Sequence, residues 1–193
     1  MNSNDILMLL FVLTVVVIAI VVSVYQTKKR GDLLRGQAEK RNGTVTKRSF
    51  LGRWELRLPF QDSSVLIYSV PGSRYSPPRT YAILKLDSPR LPTIEIMHNG
   101  LAQKLFNALG RERILTNDEE FDRQIVVRGE DQYSAQRLLT ADLKQRIVDR
   151  SLRALDVKII PQEVRVTIQA IPSNEEGYDN FIDLVFLILQ KIL

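Results

Sequence analysis

The sequence contains no cysteine and a single histidine, His98, in 193 residues. Without a thiol there is no disulfide framework, no thiolate nucleophile and no cysteine-ligated zinc. His98 follows Ile94 and Ile96 on one strand face and precedes the turn pair Asn99-Gly100. It reads as a histidine near a strand end, since catalysis or metal binding needs partners that the sequence does not supply. A phosphate-binding Walker loop, a dinucleotide-type glycine pattern and a nucleophile elbow are all missing. So are internal repeats and low-complexity segments. These absences indicate no cofactor and no small-molecule ligand.

Net charge is also missing where a nucleic-acid partner would require it. The chain is formally +5, yet residues 49–193 carry 19 basic and 19 acidic side chains. The excess sits in a short flank, residues 26–48, where Lys28, Lys29, Arg30, Arg35, Lys40, Arg41, Lys47 and Arg48 face only Asp32 and Glu39. A neutral domain with a basic flank excludes a nucleic-acid-binding face and points to a membrane boundary.

What precedes the flank agrees. Residues 6–25, ILMLLFVLTVVVIAIVVSVY, form an uncharged run of 20 residues. As a helix rising about 1.5 Å per residue, the run is roughly 30 Å long, which matches a hydrocarbon core. A cleaved signal peptide has a basic region before a shorter apolar stretch. Here Asp5 precedes the run and the cations follow it. The expected organisation is a short tail (1–5), a single-pass signal-anchor helix (6–25), a basic juxtamembrane tether (26–43) and one soluble domain (44–193). Because Lys and Arg concentrate on cytoplasmic flanks, the tail is expected outside and the domain inside, on the cell (inner) membrane. Lys28, Lys29, Arg30 and Arg35 are the expected contacts to anionic headgroups. The stretch from Gln26 to Arg41 has two readings: a helical extension interrupted at Gly31 and Gly36, or a flexible tether. Asn42-Gly43-Thr44 matches a glycosylation acceptor pattern, void in a cytoplasmic domain, where Asn-Gly is a turn.

Within the domain, Trp54, Leu56, Leu58 and Phe60 alternate with polar residues, the period-two mark of a strand. Pro59, which lacks an N–H, places that strand at an edge or at its end. A short loop, Gln61 to Ser64, leads to a strand at 65–70, and further strands are expected at 80–86 and 93–97. A helix is expected over 101–109. Thr116 through Glu119 reads as a capping box with Thr116 as N-cap. A strand at 124–128 follows, then helices capped by Asp131 and Thr140, the second with Leu143, Ile147, Val148 and Leu152 facing inward. Two strands, 155–159 and 164–170, and a helix from about 174 to 193 complete the order. Hairpins with helices set apart define an α+β fold, a mainly antiparallel sheet packed by helices.

The stretch Thr116-Asn117-Asp118-Glu119-Glu120-Phe121-Asp122-Arg123, followed by Val126, Val127 and Arg128 and then by Leu138 to Leu143, resembles a pattern in uncharacterised bacterial single-pass membrane-tethered proteins. The resemblance spans roughly 80–193. It implies a shared domain and, because that family has no assigned activity, no function.

Three functional expectations follow. The first is a non-enzymatic protein-binding or assembly module, with self-association or another protein as partner. Its contact would be the terminal helix through Phe181, Val185, Phe186 and Leu189, against the plainer reading of a core helix. The second is an enzyme with a metal site at Asp118, Glu119 and Asp122, because hard cations prefer several oxygen ligands. Against it stands the ordinary preference for carboxylates in a first helical turn. The third is lipid sensing through the basic flank. The loop around Ser73, Arg74, Tyr75, Ser76 and Arg79 reads as a hairpin loop and Trp54 as core.

Overall fold

The computed structural model describes residues 3–48, 53–88, 91–99, 113–148 and 154–193. The expected helix over 101–109 and the residue Leu152 lie outside them. The first element, α1 (Ser3–Lys40), is one helix of 38 residues, about 57 Å long. Every residue from Leu10 to Gln26 is exposed, including Phe11, Leu13, Ile18 and Val24. This half of the helix buries nothing within the protein and is long and apolar enough to cross a membrane.

The second half behaves differently. Gly31, Leu34, Gln37 and Ala38 are buried, and Thr27, Arg30 and Arg41 are half-buried. They recur every three or four residues, so they share one helical face. Leu34 and Ala38 belong to the domain's own core. Of the two sequence readings for this stretch, the helical extension is the one found, and neither Gly31 nor Gly36 interrupts it. The helix stops where Asn42 takes φ 52 and the Gly43 N–H reaches back to the Ala38 carbonyl at 2.8 Å. Asparagine tolerates this left-handed position at a helix end.

The strands are β1 (Thr44–Lys47), β2 (Trp54–Phe60), β3 (Ser63–Val70), β4 (Arg79–Lys85), β5 (Ile94–His98), β6 (Arg113–Ile114), β7 (Ile125–Gly129), β8 (Asp156–Ile160) and β9 (Glu163–Ile168). They form one antiparallel sheet in the order β1-β2-β3-β4-β9-β8-β5-β7-β6. The first four strands are a meander. The late β8–β9 hairpin inserts between β4 and β5 and joins the two halves. Pro59 pairs with Ser64 of β3 and lies past the end of β1, whose Thr44 pairs with Arg57, so its missing N–H costs the sheet no bond.

Four shorter helices complete the chain: α2 (Glu119–Gln124), α3 (Gln132–Leu138), α4 (Ala141–Val148) and α5 (Glu175–Ile192). One sheet face, carrying Leu56, Leu58, Val65, Ile67, Leu84, Ile96, Val127, Val157, Ile159 and Val164, forms a single core with residues of α1 through α5. The fold is α+β, as the strand and helix order implies.

The terminal helix is the main core element. Phe181, Val185 and Leu189 are at most 1% exposed, as are Tyr178, Ile182, Leu184 and Ile188. Phe186 is half-buried, with its ring 5.7 Å from that of Phe60. The expectation of a partner-docking face on these residues is therefore corrected. The sheet covers one side of α5, while α1, α3 and α4 pack along others, which is why a helix apolar on several faces is needed here.

Candidate functional site

Two of the three carboxylates singled out in the sequence, Asp118 and Asp122, hold local structure. Asp118, not Thr116, is the N-cap of α2: its carboxylate accepts from the Phe121 N–H at 3.1 Å. Asn117, with φ 59, turns the chain before it. Thr116 instead donates its N–H (3.0 Å) and hydroxyl (2.9 Å) to Asp122. Lys144 lies 3.4 Å from Asp118. The Phe121 N–H, helped by Lys144, holds the Asp118 carboxyl below the usual range despite some burial. Glu119 is exposed at the start of α2. Among the described residues no three His, Asp or Glu side chains gather in a metal-binding arrangement. The ring beneath the turn is Phe121, 2% exposed.

Other sequence candidates also have local explanations. Asp131 caps α3 through the N–H groups of Tyr133 and Ser134. His98 ends β5, with its Nδ1 3.5 Å from the Leu155 carbonyl. Ser73 and Ser76 bond to each other across the β3–β4 loop, and Tyr75 at its tip is fully exposed.

The most elaborate constellation lies where α1 enters the domain. Trp54 starts β2 on the core side, and its indole N–H donates to the Thr27 carbonyl of α1 at 3.0 Å. Gly31 lies directly against the indole: a Cβ there would come within 2.7 Å of the ring. The guanidinium of Arg35 lies 5.0 Å from the indole centroid and the Lys47 ammonium 5.5 Å from it, both within cation–π range. Arg35 also pairs with Asp32 at 2.6 Å. A cleft of about 210 Å³ opens beside this joint, lined by Thr27, Arg30, Leu34, Arg53, Trp54, Ser69, Pro71 and Tyr178. Of the four expected headgroup contacts, Arg30 alone lines it. Lys28 and Lys29 are exposed and lie outside it.

At its other end the same stretch of α1 is tied to α5. Arg41 reaches Asp179 (2.9 Å) and Asp183 (2.8 Å), and Lys40 reaches Asp179 (3.2 Å) and Glu175. The buried Gln37 amide points at the Glu175 carbonyl, and its oxygen accepts from Arg41. Burial alone would raise the Asp179 carboxyl, but bonds from Arg41, Gln37 and Lys40 outweigh it and hold the group low. Sequence reading missed this joint because its contacts between α1 and the rest of the domain described above join residues 19 to 142 positions apart. The one available signal was the recurrence of Thr27, Gly31, Leu34 and Ala38 at helical spacing.

The arrangement is that of a helix long and apolar enough to cross a membrane, built at its far end into an α+β domain, with no reacting constellation beside it among the described residues. No family model matches the sequence, and no curated protein matches it. Among solved structures, the crystal structure of the mycobacterial trehalose monomycolate transport factor A, TtfA, is similar. It covers 85% of this chain and 96% of that one with a TM-score of 0.55, at 10% sequence identity. Likeness at that identity establishes a shared fold.

Proposed function

We propose that this chain is a membrane-anchored, non-enzymatic accessory protein whose cytoplasm-facing domain binds or assembles protein partners at the membrane. The observation that carries the reading is the continuity of α1. The same helix that is apolar and exposed over residues 10–26 supplies Leu34 and Ala38 to the domain core. A domain joined through a flexible tether samples many orientations. A domain fused to its span holds one face at a set distance from the bilayer, which is what an assembly platform needs.

The basic flank after the span supports the cytoplasmic placement. The TtfA neighbour is named a transport factor, which fits an accessory role beside membrane machinery. Its substrate is not carried over to this chain. The test is native electrophoresis of the full chain extracted from membranes in mild detergent, with residues 6–25 either native or replaced by an unrelated span of equal length. The expected result is a discrete assembly larger than the single chain in both forms, because the domain supplies the contacts. Migration as a lone chain in both forms would contradict the reading.

A further inference from the structure

The cleft beside the anchor joint has a position, a size and a charge that suit one class of ligand. Arg30 lies five residues past Tyr25, about 7.5 Å further along the helix. The headgroup zone of a leaflet is about 5–7.5 Å deep, so with α1 across a bilayer the lining residue Thr27, about 3 Å past the core boundary, lies within it and Arg30 lies at its outer limit. Its volume of about 210 Å³ is below the roughly 300–1,000 Å³ of cofactor and drug-sized pockets, yet holds several times the roughly 30 Å³ of one water. A phosphate with part of its glycerol is of that order.

The lining matches such a group. The Arg30 guanidinium makes no hydrogen bond or ion pair among the described residues. Arg53 contributes to the rim, but its guanidinium turns to the opposite sheet face, where its Nε donates to Glu55 at 3.0 Å and it stacks on Tyr68 at 3.8 Å. At the base, the Tyr178 hydroxyl, on a side chain 1% exposed, bonds Ser69. Ser69 bonds Thr80, which donates to the Ala170 carbonyl. Guanidinium groups match phosphate oxygens in geometry and charge. The apolar edge of Trp54 offers a surface for the glycerol.

We propose that this cleft binds the phosphate headgroup of an anionic phospholipid from the leaflet facing the domain, with Arg30 as its cationic ligand. The site differs from diffuse attraction by the flank, because Lys28 and Lys29 lie outside it. It rests on α1 crossing a bilayer but not on which partner the domain binds.

Trp54 is the only tryptophan, so its emission reports on the cleft in the full chain. In a neutral detergent, short-chain phosphatidylglycerol should change Trp54 emission saturably and raise the melting temperature, which ligand binding to the folded state does. Arg30→Gln should weaken this at least tenfold while melting like the native chain without lipid. The Lys28→Gln/Lys29→Gln double variant should stay within about threefold of native, since solvated charges distant from a site contribute weakly. Four results would overturn the proposal. Phosphatidylcholine of equal chain length titrates as well. The double lysine variant weakens binding as much as Arg30→Gln. Glycerol phosphate or inorganic phosphate saturates at the same concentration, making the ligand a soluble anion. Neither emission nor melting temperature responds to phosphatidylglycerol. Absence of protein assemblies on native gels leaves all of these readouts intact, so the two readings fail separately.

Discussion

Gly31 and Gly36 sit five residues apart in the same helix and have opposite consequences. A Cβ at Gly31 meets the Trp54 ring, which is held in place by its bond to the Thr27 carbonyl. A Cβ at Gly36 meets nothing within 4 Å. Gly31→Ala should therefore cost about 1–2 kcal/mol net, overpacking exceeding the gain in helix propensity. Gly36→Ala should stabilise by about 0.5–1 kcal/mol. Thermal unfolding of the two full-length variants in detergent, followed by circular dichroism, checks both signs. From sequence the two glycines were equivalent helix interruptions, because what separates them is a tryptophan 23 positions away from Gly31. The cap of α2 shows the same limit. Thr116 and Asp118 are both good caps, and the choice is made by Asn117 in the left-handed region and by Thr116 being committed to Asp122.

At the scale of elements, periodicity carried most of the information. Strands β2, β3, β4, β8 and β9 lie within a residue or two of where alternation places them, except that β9 ends at Ile168, short of Ala170. The cap at Asp131 follows from side-chain chemistry. The placement of β8–β9 between β4 and β5 was not legible, since the strand order depends on pairings distant in sequence. The role of α5 was open for the same reason: apolar residues on several faces mean several neighbours, but not which ones. With Phe181 fully buried, Phe181→Ala should cost about 3–5 kcal/mol and Phe186→Ala, half-buried on Phe60, less than half of that. Denaturant unfolding of each variant in the full chain decides. A Phe181→Ala chain of native stability that had lost its assemblies would restore the docking face.

At the scale of the whole molecule, the residues divide by solvent. Residues 10–26 of α1 meet no protein, the stretch from Thr27 to Arg41 meets the domain, and the excess charge lies at the changeover. The run of 20 uncharged residues was legible because a bilayer fixes the length of what crosses it. The junction was not, because a helix polar on one side and docked on the other looks like a tether when read residue by residue. The central claim is that the domain rides on the cytoplasmic end of this helix. It is tested most directly by introducing the chain's only thiol, Asp62→Cys, in the exposed two-residue turn between β2 and β3, and treating intact cells with a membrane-impermeant maleimide. The account predicts protection in intact cells, labelling once the membrane is opened, and recovery of the chain with the membrane fraction. Labelling in intact cells would contradict it, placing the domain, and the search for its partners, on the outer side.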